Sequence, residues 1–225
     1  MGKHGAAIAA LVLTTSAFGQ TTAPTPTNKW HFSASAYTYF VPDDRNYVQP
    51  TLQADRDWLH LEARYNYESF KTASTWVGYN FRSGQKLALE LTPTLGAVFG
   101  DTVGIAPGYK ISLGIWKFEL YSEGEYVFDV RSSSGSFFYN WSELTYAPID
   151  WLRTGLVIQR TKAYQTTLDI QRGLLLGVSY KRVELASYVF NLGWDRPTVV
   201  FSIAWKSSTR SASRRCSSNI SACRP

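Results

Sequence analysis

Leu59-His60-Leu61-Glu62-Ala63-Arg64-Tyr65-Asn66-Tyr67 decides the fold. Its odd positions are apolar or aromatic, and its even positions are polar or charged. A helical period would scatter those charges around the whole circumference. In an extended strand, successive side chains point to opposite faces, which gives one apolar wall and one charged wall. Other stretches repeat the pattern. Trp30 to Phe40 keeps its less polar residues on even positions. Leu87, Leu89 and Leu91 alternate with Lys86, Ala88 and Glu90. Leu152, Thr154, Leu156 and Ile158 oppose Arg153, Gly155, Val157 and Gln159. Val199, Phe201, Ile203 and Trp205 oppose Thr198, Val200, Ser202 and Ala204. The mature chain shows no convincing amphipathic helix.

The pattern predicts about twelve strands, near 30–40, 47–55, 58–68, 73–82, 86–95, 104–113, 115–128, 137–147, 150–160, 167–180, 182–191 and 198–206. The count falls to ten if two weak runs drop out: 47–55, which carries Pro50, and 137–147, which alternates worst. A typical run is about ten residues, the length a tilted strand needs to cross a bilayer. Connections after even-numbered runs are very short (Arg56-Asp57, Gly114, Lys181). Those after odd-numbered runs are longer, such as Asp129 to Ser136. That asymmetry matches periplasmic turns on one side and outer loops on the other.

The chain has 225 residues, of which 44% are hydrophobic, 15% aromatic and 18% charged. Its net charge of +6 suggests nucleic acid, but the distribution argues otherwise. Removing Lys3, Lys206, Arg210, Arg214, Arg215 and Arg224 from the 23 basic residues leaves 17, equal to the 17 acidic residues. The body is formally neutral and the basicity belongs to the ends. Both cysteines, Cys216 and Cys223, lie in the C-terminal tail, so the body has no disulfide, thiol chemistry or cysteine metal site. With only His4, His31 and His60, no histidine-rich metal site and no cofactor is expected.

Residues 1–19 read as a secretory signal. Lys3 and His4 give a positive start, Ala6 to Leu13 is an uncharged apolar run, and Ala17-Phe18-Gly19 supplies the cleavage position. Residues 20–28 read as a Thr/Pro-rich linker, 29–206 as the barrel, and 207–225 as a disordered Ser/Arg-rich tail without strand pattern.

A soluble barrel and a membrane barrel are inside-out versions of one another. Aromatic residues on the apolar wall cluster at strand ends: Trp30 and Phe40, Tyr65 and Tyr67, Phe81, Trp116, Phe128, Phe138, Tyr146, Trp151, Tyr180 and Trp205. They form two bands like interfacial girdles. Leu61, Leu89, Leu156, Leu176 and Ile203 are expected to face lipid. Arg172 is the one ionised exception if its strand is regular. From Trp30 to Trp205 the chain therefore resembles bacterial outer-membrane β-barrels, of a small porin-like class. The resemblance implies an all-β, closed, antiparallel up-and-down barrel in the bacterial outer membrane. Its partners would be membrane lipids, the barrel-assembly machinery and small polar solutes.

Chemistry can sit only on the polar wall. Its ionisable members are Glu62, Arg64, Lys86, Glu90, Lys110, Lys117, Glu119, Glu123, Glu125, Glu143, Arg153, Asp169 and Glu184. Trp76, Tyr121, Tyr139 and Trp141 narrow the bore. This wall reads as the lining of a narrow passive conduit for small polar solutes, or equally as an ion-pair filling that rigidifies a non-conducting barrel. A third reading is a lipid hydrolase that uses His31 and Ser33, which share a face at i and i+2. No phosphate loop, metal spacing or nucleic-acid signature is present.

Overall fold

The computed structural model describes residues 29–42, 45–84, 86–132, 135–161, 169–193 and 197–207. The predicted signal and linker lie outside these residues, as does the tail after Ser207. The strands are β1 (His31–Phe40), β2 (Tyr47–Arg56), β3 (Leu59–Tyr65), β4 (Thr72–Tyr79), β5 (Phe81–Ser83), β6 (Leu87–Gly100), β7 (Gly104–Ile115), β8 (Phe118–Asp129), β9 (Phe137–Ile149), β10 (Leu152–Thr161), β11 (Asp169–Tyr180), β12 (Val183–Phe190) and β13 (Thr198–Lys206). Neighbours in sequence pair antiparallel. β1 pairs with β13, and β4 pairs with β6, which closes the sheet. β5 continues the path of β4 beyond Asn80 along the lower part of β6. The thirteen segments of the sheet therefore form twelve staves, one of them broken. The register of β4 and β5 on β6 is continuous and sets Tyr79 opposite Pro93, which has no N–H to give the ladder, so the pairing is interrupted there. Asn80 keeps the inward parity, with Nδ2 donating to Asp55 at 2.8 Å and Oδ1 accepting from Thr92 at 2.7 Å.

Exposure decides which face is which. On β3, His60, Glu62 and Arg64 are 3%, 6% and 5% exposed, whereas Leu61 and Tyr65 are 39% and 44% exposed. Leu156, Leu176 and Ile203 also point outward and Leu89 is half-exposed. Polar residues inside and apolar residues outside is the membrane arrangement. The strand-end aromatics pair along the outer wall, as in Phe118 with Tyr146 at 4.9 Å and Tyr126 with Phe128 at 4.6 Å.

Two expectations are corrected. Two tight turns sit one or two residues later than expected, at Asp57-Trp58 and Trp116-Lys117 rather than at Arg56-Asp57 and Gly114, and the turn expected at Lys181 alone also takes in Arg182. Asp57, Trp116 and Lys181 take φ values of 50°, 54° and 54°. Two-residue hairpins need that left-handed backbone, and only Asp57 belongs to the residue types that advertise it. Tyr67 is not an outer girdle residue. Asn66 adopts φ 55° just after β3, which breaks the alternation and turns Tyr67 into the bore, where it is 6% exposed.

The outer wall is apolar except in two places. Tyr109, Ser122, Asn140 and Ser142 face outward on β7, β8 and β9 and hydrogen-bond one another, with Ser122 and Ser142 2.9 Å apart and Asn140 Nδ2 donating to Tyr109 at 3.1 Å. Mutual pairing makes such groups tolerable beside hydrocarbon. The second place holds Arg172, exposed on β11 as expected, together with Arg160, half-buried on the same outer face of β10.

Candidate functional site

The regular pleat of β3 sends His60, Glu62 and Arg64 into the bore at successive levels, and Arg64 organises the main cluster. Its Nε donates to Glu62 at 2.7 Å and its Nη1 donates to Glu125 on β8 at 2.7 Å. Its guanidinium also stacks over the rings of Tyr67 and Trp76, at 4.3 and 4.5 Å. Lys110 from β7 makes a close ion pair with Glu62 and lies 3.8 Å from Glu123. Tyr67 and Tyr121 both donate to Glu123. His60 bridges two carboxylates, Asp55 at 2.8 Å and Glu62 at 3.0 Å. Above this group, Glu68 lies on the loop that follows β3 and accepts from Ser74 at 2.5 Å. Its burial raises the carboxyl pKa above the ordinary value, against the opposing pull of Arg64 and Ser74.

A second cluster lines β9 to β12. Arg153 Nη1 donates to Glu143 at 2.8 Å, and Tyr188 and Trp141 donate to the same carboxylate at 3.0 and 2.9 Å. Arg153 Nε lies 2.7 Å from Glu184 but out of line for a hydrogen bond, so that contact is one of charge. Each such pair attracts by a few kcal/mol at intermediate dielectric, roughly offset by desolvation. The network therefore fixes side-chain positions more than it adds stability.

Between the clusters, side chains from distant walls meet. Tyr37 of β1 lies 5.8 Å from Trp141 of β9, and Tyr67 lies 5.0 Å from Tyr139 of β9. Tyr39 donates to Gln159 of β10 at 3.4 Å, and Gln159 donates to Gln171. Ser35, Gln49, Thr51, Gln53, Glu62, Glu123 and the tyrosines line a cavity of about 80 Å³ beside these contacts.

Glu62, Arg64, Lys110, Glu123, Glu125, Glu143, Arg153 and Glu184 all enter these two clusters. Glu119 sits lower and accepts from Ser112 at 2.8 Å. Glu90 is at the mouth, half-solvated beside Arg82 at 3.4 Å. Lys117 is not a lumen residue: it lies in the turn before β8 and donates to the Pro148 carbonyl at 2.6 Å. Lys86 is exposed in another turn, and the side chain of Asp169 is outside the described set. Asp55, Glu68, Tyr37, Tyr39 and Tyr188 were missed as members. Asp55 and the tyrosines fall at inward positions of their strands and are readable by parity, whereas Glu68 lies beyond the break at Asn66 and is not. The acids of the bore (Asp55, Glu62, Glu68, Glu119, Glu123, Glu125, Glu143, Glu184) outnumber its fixed cations (Arg64, Lys110, Arg153).

Of the hydrolase pair, the contact of Ser33 is defined. Ser33 Oγ donates to Gln53 Oε1 at 3.0 Å, so its proton is directed at an amide oxygen rather than at a base.

The architecture has known counterparts. A KdgM porin superposes with a TM-score of 0.52 at 11% identity, over 77% of this chain and 98% of the porin. A KdgM porin in complex with disordered oligogalacturonate superposes with a TM-score of 0.51 at 12% identity, over the same shares. The chain has the fold of a porin-like outer-membrane β-barrel. No family model matches the sequence, and no curated protein matches it. At these identities the likeness is one of fold alone.

Proposed function

We propose that this barrel is a narrow passive conduit of the outer membrane, carrying water, small cations and small uncharged polar solutes, with no covalent chemistry. The acid-rich lumen around a cavity of about 80 Å³ carries this reading. A lining of this sign and bore repels small anions and holds back sugar acids. This departs from the solute of the oligogalacturonate-bound KdgM porin, which is a polyanion. The cross-lumen aromatic contacts also favour a second reading, a structural barrel that conducts nothing.

Swelling of liposomes that hold the purified protein separates the two. The conduit reading expects slow uptake of glycerol or a pentose and much slower uptake of galacturonate at equal osmotic gradient. Swelling no faster than in protein-free liposomes leaves the structural barrel. Faster uptake of galacturonate than of the neutral sugar overturns the acid-lumen account. Hydrolysis of phospholipid by the purified protein, abolished in His31→Ala, instead establishes the enzyme.

A further inference from the structure

Arg160 on β10 and Arg172 on β11 both stand on the lipid-facing wall, flanked at i±2 by Ile158, Ile170 and Leu174, each at least 44% exposed. The register sets Arg160 opposite Ile170 and Ile158 opposite Arg172. The two arginines are therefore diagonal neighbours on one face, about 7 Å apart at the backbone. Among the carboxylates whose side chains are described, which do not include Asp169, none forms an ion pair with either. Arg160 rests over the Phe138 ring at 5.9 Å. Arg172 lines a groove of about 540 Å³ on the outside of the barrel, with Leu156, Ile170, Leu174, Asn191 and Leu192.

Both arginines lie near the 162–168 connection, at the end of the barrel opposite the tight turns. The short-turn end is periplasmic, so this groove opens at the outer leaflet. A guanidinium beside hydrocarbon needs an anion, and it matches phosphate oxygens with paired N–H donors. Next to it, the groove offers an apolar trough suited to an acyl chain. Asn140, opposite Arg160 in the ladder, belongs to the outward polar cluster and adds hydrogen-bonding groups on the same side. We infer that the groove binds a phosphorylated lipid of the outer leaflet, with the phosphate on Arg172 and Arg160 and an acyl chain along Leu156 and Leu174.

Native mass spectrometry of the detergent-solubilised full chain tests this with three probes: diphosphorylated lipid A, its dephosphorylated form, and phosphatidylglycerol. Diphosphorylated lipid A is expected to bind about tenfold or more tightly to the parent protein than to the Arg160→Ala, Arg172→Ala double variant. Removing its phosphates is expected to cost as much. Leu174→Trp, which fills the groove and leaves both charges, is expected to weaken binding as well. All variants are compared in their folded, heat-modifiable form. Equal binding of phosphatidylglycerol identifies a phospholipid as the source of the phosphate; weaker binding identifies the glycolipid. Binding that ignores the phosphates or the double variant overturns the inference. So does a dimer that the double variant dissociates without any change in lipid retention, because the groove then seats a second copy.

Discussion

Arg64 is buried among carboxylates, and its removal leaves Glu125 without its cation and Glu62 with Lys110 and His60 alone. Breaking such a buried pair from one side costs about 3–5 kcal/mol. Arg64→Met is therefore expected to lower the urea midpoint of the refolded barrel by that equivalent, and adding Glu62→Gln and Glu125→Gln is expected to restore part of it. Unchanged stability in the single variant would mean that lumen water solvates both carboxylates. Gly96 on β6 serves the same network from the strand beside β4, directly opposite Trp76 in the ladder. A Cβ there would lie 2.6 Å from the Trp76 ring, which in turn supports Arg64. Gly96→Ala is expected to cost about 1–3 kcal/mol in the same unfolding measurement. A glycine in a strand is visible in sequence, but the ring that requires it is not, because it becomes evident only once the hairpin register sets Gly96 opposite Trp76.

Leu156 sits mid-way along β10 and points into lipid. Arginine at that depth costs about 2–4 kcal/mol, falling toward zero near the interfaces. Leu156→Arg is expected to lower the yield of folded, heat-modifiable barrel, and insensitivity at this position would mean that the wall does not face hydrocarbon. Most strands were legible because every inward and outward choice repeats along ten or so residues, and His60, Glu62 and Arg64 were placed by that parity alone. The failures sit where parity or pairing stops. Asn66 turns the chain through a left-handed φ, which moves Tyr67 to the inner wall, and Pro93 opposite Tyr79 interrupts the ladder between β4 and β5 without a change of parity. Trp116 and Lys181 occupy turn positions whose backbone is set by strand twist rather than by residue type. Which lumen groups meet across the bore was not legible at all, since Arg64 and Glu125 are 61 residues apart in sequence.

At the scale of the whole molecule, twelve staves enclose more lumen than backbone alone fills, and tyrosines, tryptophans and a carboxylate-rich network occupy the difference. The last described residue, Ser207, still pairs with β1, its Oγ accepting from Phe32 N at 2.8 Å. We propose that the barrel needs nothing beyond it. Truncation after Ser207 is expected to leave the heat-modifiable band intact, and loss of that band would assign the following residues a structural part. The central claim is a narrow, cation-favouring passage, and the reversal potential of single channels in a planar bilayer under a KCl gradient measures it. The account predicts a small conductance whose reversal potential takes the sign of K⁺ preference, with Arg64→Met raising the conductance and strengthening that preference. A reversal potential of Cl⁻ sign, or no conductance in either protein, contradicts it.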